Sequence, residues 1–230
     1  MTYAAIAAGF NKTISLGPPP NVFAAVTSGS SIAASSTDGI TWTQRALPVS
    51  TNWRSVAYGG GVWVSVAASS SIAASSINGT TWTQQTLPAS ANWYSVTYGN
   101  GVFVAVSSDF SSIAASSTDG ITWTQRTLSE SNAWGVSYGS GKFVAVGDYV
   151  YGSYSVNNAA TWADANMPAD SYLGGIAFGN NIFIASGYSG AVSTNGTTWG
   201  YISIPVSIGR VFYGNGTFVM LNNFYSTSSA

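Results

Sequence analysis

Two aromatic landmarks return about every 40 residues, four strand-like segments fill each period, and no stretch sustains a helical apolar pattern. Together these predict an all-β fold: a six-bladed β-propeller of four-stranded blades. The first landmark reads "NWRSVAYGGGVWVSV" (52–66), "NWYSVTYGNGVFVAV" (92–106) and "AWGVSYGSGKFVAV" (133–146), with weaker copies at 173–186 and 208–221. Its leading rings are Tyr58, Tyr98, Tyr138, Phe178 and Tyr213, spaced by 40, 40, 40 and 35 residues. The second landmark is a tryptophan, at Trp42, Trp82, Trp123, Trp162 and Trp199, spaced by 40, 41, 39 and 37. Two independent markers share one period, so the repeat is architectural.

The segment 92–127 shows the elements in order. "NWYSVTY" is the first strand, rich in β-branched and aromatic residues. "YGNG" follows as a tight hairpin, where Asn-Gly supplies the positive φ angles that the favoured turn needs. "VFVAVS", "SIAASS" and "TWTQRT" are the second, third and fourth strands. The turn between the last two lies in a phrase written identically at 30–44 and 111–125, "SSIAASSTDGITWTQ", and nearly so from Ser70. In it Asp38 and Asp119 are expected to accept hydrogen bonds from backbone amides two residues on, with Asn78, Asn158 and Asn195 in the same role. The glycine after them takes the left-handed conformation, and the tryptophan plugs the turn against the sheet.

One domain, 1–230, is expected, with blades at 11–46, 52–86, 92–127, 133–165, 172–203 and 207–230 plus 1–6. The last assignment follows from the termini. The C-terminus supplies three strands and stops before the tryptophan turn, while "MTYAA" aligns with "ITWTQ". An N-terminal strand completing the C-terminal blade would close the ring and leave no free sheet edge.

The turn phrase resembles the Asp-box of sialidases and related propellers, Ser-x-Asp-x-Gly-x-Thr-Trp, shortened by one residue between Asp and Gly. The resemblance covers five points along the chain. It implies a structural role for the box, far from any catalytic centre.

Composition excludes several function classes. Charged residues are 6% of the chain and hydrophobic ones 46%, with six basic and seven acidic side chains giving a net charge of −1. Duplex nucleic acid and anionic membrane surfaces call for clustered Lys and Arg, so neither is an expected partner. Without cysteine or histidine, disulfides and the usual zinc and iron–sulfur sites are excluded; no metal and no cofactor is expected. The start, "MTYAAIAAGF", shows no secretory leader, and the uncharged stretch 13–37 is broken by "GPPP", so no membrane insertion is expected.

Catalysis is not expected either. Sialidase chemistry resembles an arginine cluster gripping a carboxylate. Here Arg45 and Arg126 fall on fourth strands at the rim, while Arg54 and Arg210 fall near innermost strands of blades two and six, so no triad is expected. Other glycosidases need two carboxylates of different pKa. Asp109 and Asp148 follow second strands in adjacent blades and are the nearest approach to such a pair.

A second set of aromatics, Trp53, Trp93 and Trp134, stands at the start of innermost strands, with Arg54 and Tyr94 one residue on. These five are candidate ligand-binding residues, since exposed rings stack on sugars and propeller lectins resemble this pattern. Packing between blades is the competing role. Departures from the repeat at "SSDF" (107–110) and "DYVYGSY" (148–154) make Phe110, Tyr149 and Tyr151 candidate partner contacts. The composition and degenerate "DGxTWT" repeats resemble those of bacteriophage structural proteins. That implies a non-enzymatic tail, fibre or decoration module, in a virion or outside a cell. Its partners would be other virion or surface proteins, or a second copy of itself. A multivalent glycan-binding lectin is the alternative, and a sialidase-like glycosidase the outsider.

Overall fold

The computed structural model describes residues 14–16, 22–148, 152–168, 172–204 and 208–222, and every regular element among them is a strand. The first unit comprises β1 (Ile14–Leu16), β2 (Phe23–Val26), β3 (Ser28–Ser36) and the first half of β4 (Thr43–Gly59). β4 runs on into the second unit, with β5 (Val62–Ala68), β6 (Ser70–Ser76) and β7 (Thr83–Ala91), so seven strands form one sheet in chain order. The third unit is β8 (Trp93–Gly99), β9 (Val102–Ser107), β10 (Ile113–Ser117) and β11 (Thr124–Thr127). The fourth is β12 (Ala133–Gly139), β13 (Lys142–Gly147), β14 (Gly152–Ser155) and β15 (Ala163–Asp164). The fifth is β16 (Leu173–Gly179), β17 (Ile182–Gly187), β18 (Gly190–Ser193) and β19 (Gly200–Ile202). Units three to five are antiparallel sheets of four strands each, and β20 (Ile208–Gly214) with β21 (Thr217–Asn222) forms a further hairpin.

The innermost strands β1, β4, β8, β12, β16 and β20 stand side by side in that order. Residues 1–13 and 223–230, on which the expected ring closure falls, lie outside the described residues.

The core sits between the units rather than within them. One apolar cluster joins Val64 and Val66 of β5 to Trp93 of β8, Phe103 of β9 and Trp123. Others join the first unit to the second, the third to the fourth and the fourth to the fifth. Each four-stranded sheet has two apolar faces and is stable only between neighbours, which is why the sequence must repeat.

The recurring Tyr-Gly pair makes the inner joint. A Cβ at Gly59 would lie 1.9 Å from Tyr98 Cγ, one at Gly99 2.0 Å from Tyr138, one at Gly139 2.1 Å from Phe178 and one at Gly179 2.2 Å from Tyr213. Each ring therefore covers the glycine of the preceding unit. It also packs across its own hairpin, as in Tyr98–Phe103 and Tyr138–Phe143, with centroids 4.7 and 4.8 Å apart. The hairpins themselves turn as expected, with Asn100 at φ 47° and Gly101 at φ 81°.

The tryptophan turns make the outer joint. In the third unit Asp119 Oδ1 accepts hydrogen bonds from the N–H groups of Ile121 and Thr122, both at 2.8 Å, and from the Ser117 hydroxyl at 2.9 Å. Asp38, Asn78 and Asn195 repeat the arrangement in units one, two and five. These amide and hydroxyl donors hold the carboxyls of Asp38 and Asp119 below the usual carboxylate range. The next residue is a left-handed glycine pressed on the preceding unit: a Cβ at Gly120 would lie 2.6 Å from Val64 Cγ2. Trp82, Trp123 and Trp199 are buried there, while Trp42 and Trp162 are half-buried.

The fourth unit corrects one expectation. Its turn is a residue longer, and the acceptor is Asn157, whose Oδ1 takes the Thr161 N–H at 3.0 Å and the Ser155 hydroxyl. Asn158 instead occupies a left-handed position at φ 58°, and its Oδ1 accepts from Asn100 Nδ2 of the neighbouring hairpin at 2.8 Å. Two consecutive asparagines left the choice ambiguous in sequence, and the extra residue moved the acceptor one place back.

Candidate functional site

Where β4, β8, β12, β16 and β20 enter their inner hairpins, each carries a β-bulge. The register shifts between Trp53 and Ser55, Trp93 and Ser95, Ala133 and Gly135, Leu173 and Gly175, and Ile208 and Arg210. A bulge inserts one residue that pairs with nothing across the strand and is re-aimed by the local kink. The inserted residues are Arg54, Tyr94, Trp134, Gly174 and Gly209.

This register separates the aromatics that the sequence had grouped. Trp53 and Trp93 precede the bulge, are fully buried, and lie in the clusters between units. Their indole N–H groups donate to the carbonyls of Val49 and Ala89, both at 3.1 Å. They are packing residues, out of reach of a ligand, and the proposed sugar-stacking role fails for both. Trp134 is not their counterpart. Counting back from the landmark ring, Trp93 stands five positions before Tyr98 but Trp134 only four before Tyr138, so Ala133 holds the packing position. Trp134 instead shares the bulge with Arg54 and Tyr94, and all three are half-buried.

The bulge residues converge. The Tyr94 and Trp134 rings meet edge-on with centroids 4.7 Å apart. The Arg54 guanidinium lies 5.6 Å from the Tyr94 centroid and that of Arg210 lies 5.7 Å from it, both in the range of cation–π attraction. Sequence reasoning placed Arg54 and Arg210 on distant blades and missed their meeting at one tyrosine. Only the side-by-side curvature of successive units brings them together.

This cluster stands at one end of a cavity of about 360 Å³ lined by β4, β8, β12, β16 and β20. Trp134 and Arg210 belong to its wall, Thr97 and Ser137 add hydroxyls, and Gly174 and Gly175 present backbone. Among the described residues no Asp or Glu lines it. Ser55 and Ser95 brace the wall, each accepting a backbone N–H from the next unit, Val96 at 3.1 Å and Val136 at 3.3 Å.

The loops between second and third strands surround this same end. Asp109 ties one of them down: its carboxylate accepts from the Asn92 N–H at 3.0 Å and from the hydroxyls of Ser107 at 3.1 Å and Ser111 at 2.5 Å. Burial works to raise its pKa, but those hydrogen bonds outweigh it and leave the carboxyl below its usual range. Phe110, held between them at φ 58°, is 77% exposed. Tyr188, unnoticed in sequence, is 78% exposed on the corresponding loop of the fifth unit, its ring edge-on to Tyr172. Tyr149 and Tyr151 lie outside the described residues.

Among the described residues no carboxylate pair for acid–base work is assembled at this end: Asp148 Oδ2 accepts from Asn132 Nδ2 at 2.6 Å, and Asp109 is engaged as above. Arg45 and Arg126 are spent at the rim, each donating from Nε to a serine of the adjacent strand at 2.8 Å. Among the described residues no three potential metal ligands gather.

No family model matches the chain, and no curated protein matches it in sequence. Solved structures do. Virginiamycin B lyase from Staphylococcus aureus aligns over 95% of this chain and 80% of its own, at 13% identity and a TM-score of 0.79. YCF48 bound to D1 peptide aligns over 87% and 71%, at 19% identity and a TM-score of 0.61, and YCF48 from Cyanidioschyzon merolae over 88% and 74%, at 15% and 0.61. At such identities the likeness is one of fold, and with the repeated antiparallel sheets it identifies the chain as a β-propeller repeat protein.

Proposed function

We propose that this chain is a non-enzymatic recognition module, a six-bladed propeller that engages its target at the bulge end of the cavity. One observation carries the reading. Positions that build the scaffold repeat from unit to unit, whereas the bulge position varies, reading Arg54, Tyr94, Trp134, Gly174 and Gly209. An irregular set of large polar and aromatic side chains on a regular frame suits specific contact. Phe110 and Tyr188 extend that contact surface outward from the same end.

The solved neighbours support binding at a propeller as a mode of action, since one holds a D1 peptide. The virginiamycin lyase is inactivated by a histidine-to-alanine change, and this chain has no histidine with which to repeat its chemistry. A composition low in charge and without cysteine supports a setting in a bacteriophage tail, fibre or decoration assembly. Glycan binding is the second reading, favoured by the half-buried Trp134 beside Tyr94.

Purified virions provide the test of setting, with mass spectrometry expected to detect the chain as a stoichiometric component. For the site, wild type and a Tyr94→Ala/Trp134→Ala variant are compared for binding to immobilised bacterial envelopes. Wild type is expected to bind, and the variant to lose at least tenfold while keeping a cooperative unfolding transition. Equal binding by both refutes a site at the bulges.

A further inference from the structure

Asn-Gly occurs four times in the chain, and the fold uses the pair in two ways. We infer that the two hairpin pairs, Asn100-Gly101 and Asn215-Gly216, are sites where the chain modifies itself, losing the asparagine amide through a succinimide. Asn78-Gly79 and Asn195-Gly196 are held intact by their tryptophan turns. The only co-reactant is water. The glycine backbone nitrogen gives up its proton and attacks the asparagine Cγ; the Cγ–Nδ2 bond breaks and the amide leaves as ammonia, taking a proton with it. Water then opens the five-membered ring. Breaking the new Cγ–N bond yields aspartate, and breaking the original backbone C–N bond yields isoaspartate. Glycine favours the attack because no Cβ shields its nitrogen.

The four pairs differ in whether the attacking nitrogen and the attacked amide are already engaged. In the turns both are. Gly79 N–H donates to Ser76 Oγ at 2.9 Å and Gly196 N–H to Ser193 Oγ at 2.8 Å. Asn78 Oδ1 accepts from the N–H groups of Thr80 and Thr81 and from the Ser76 hydroxyl, and Asn195 Oδ1 accepts from Thr197, Thr198 and Ser193 in the same way. Ring closure there must break these bonds first. In the hairpins the asparagine and the glycine are both exposed at left-handed φ, 47° and 81° in one, 50° and 77° in the other. Each pair lies outside the strand ladder, which closes at Gly99–Val102 and Gly214–Thr217. Among the described residues the Asn215 side chain forms no hydrogen bond, whereas Asn100 Nδ2 donates to Asn158 Oδ1 at 2.8 Å. Conversion of Asn100 therefore also removes a tie between the third unit and the fourth.

The test is to hold the folded protein at mildly alkaline pH and body temperature, then map chymotryptic peptides by mass. Tyr98 with Phe103 and Tyr213 with Phe218 bracket the two hairpins. Asn215 and then Asn100 are expected to gain the mass of an amide-to-acid exchange, with Asn78 and Asn195 slower by roughly tenfold or more. In urea, where the turns are lost, all four are expected to convert at similar rates. Asn100→Ser takes the residue that the fourth unit uses at the same hairpin position, Ser140 at φ 47°. It is expected to silence that site while Asn215 still converts. Should this variant unfold, the folded and urea series of the wild type still decide. Conversion of Asn78 or Asn195 as fast as the hairpin pairs in the folded protein overturns the protection by the turns. Hairpin pairs that stay intact in the folded protein but convert in urea overturn the assignment of the sites.

Discussion

Residues 93 and 94 are adjacent in the chain and both aromatic, yet they serve different ends. Trp93 is fully buried between two units, with its indole N–H satisfied by Ala89. Tyr94 is turned out by the bulge to meet Trp134 and two arginines. The same contrast holds at Trp53 and Arg54. A one-residue slip in register separates a ring buried between units from one turned toward the cavity end, because successive side chains of a strand leave on opposite faces and the bulge re-aims one of them. The fold thus separates its frame from the proposed contact surface within a dipeptide.

The sharpest way to break that contrast is to remove each ring in turn. Trp93→Ala is expected to lower stability by about 3–5 kcal/mol, the usual cost of emptying a large buried aromatic site. Tyr94→Ala is expected to cost about 1 kcal/mol, the worth of an edge-on pair with its cation contacts. Urea denaturation of both variants measures the difference. Equal losses would place the two residues in one structural class.

A middle-sized effect is expected at the inner joint. Gly139→Ala directs a methyl group at the Phe178 ring, 2.1 Å from its nearest atom. The ring cannot step aside without leaving its own hairpin partner Phe183, 4.6 Å away. Overpacking of this kind costs about 1–3 kcal/mol. Gly141→Ala provides the control, because nothing lies within 4 Å of a Cβ there and the strain comes only from φ 74°. A larger loss at Gly141 than at Gly139 would mean that turn strain, not the ring-on-glycine joint, limits the position.

Much of the frame was legible in the sequence because its physics is periodic. Tyr-Gly, Asn-Gly and the tryptophan turn each solve a local problem that every unit shares, so their spacing exposes them. The recognition end was legible only in part. Arg54, Tyr94 and Trp134 were noticed as residues, but Trp53 and Trp93 were grouped with them, since a bulge leaves no mark except a count of four instead of five before the ring. Arg210 and Tyr188 joined the site through curvature between distant units, which no local pattern records. Asn157 shows the same limit in small: the chemistry of the acceptor was foreseen, its exact place was not.

The smallest expected effect concerns the tryptophan turns, where the frame accepts exchange only between side chains that do the same work. Asn78 and Asn195 receive the same two backbone N–H groups as Asp38 and Asp119. Asp119→Asn is therefore expected to change stability at pH 7 by no more than about 0.5 kcal/mol, whereas Asp119→Ala, which strands both amides, costs about 1 kcal/mol. The two aspartates differ from the asparagines in one respect, their titration. Hydrogen bonds from backbone amides hold both carboxyls below the ordinary value of 3.8, so the folded state takes up protons later than the unfolded one as pH falls. Their contribution is complete above that value and fades as pH drops through the lowered native range. Replacing both Asp38 and Asp119 by Asn should flatten the acid limb of a melting-temperature profile while leaving the neutral limb in place. An unchanged acid limb would assign the acid sensitivity to Asp109 instead, whose carboxylate holds the Phe110 loop at the recognition end and is lowered in the same direction.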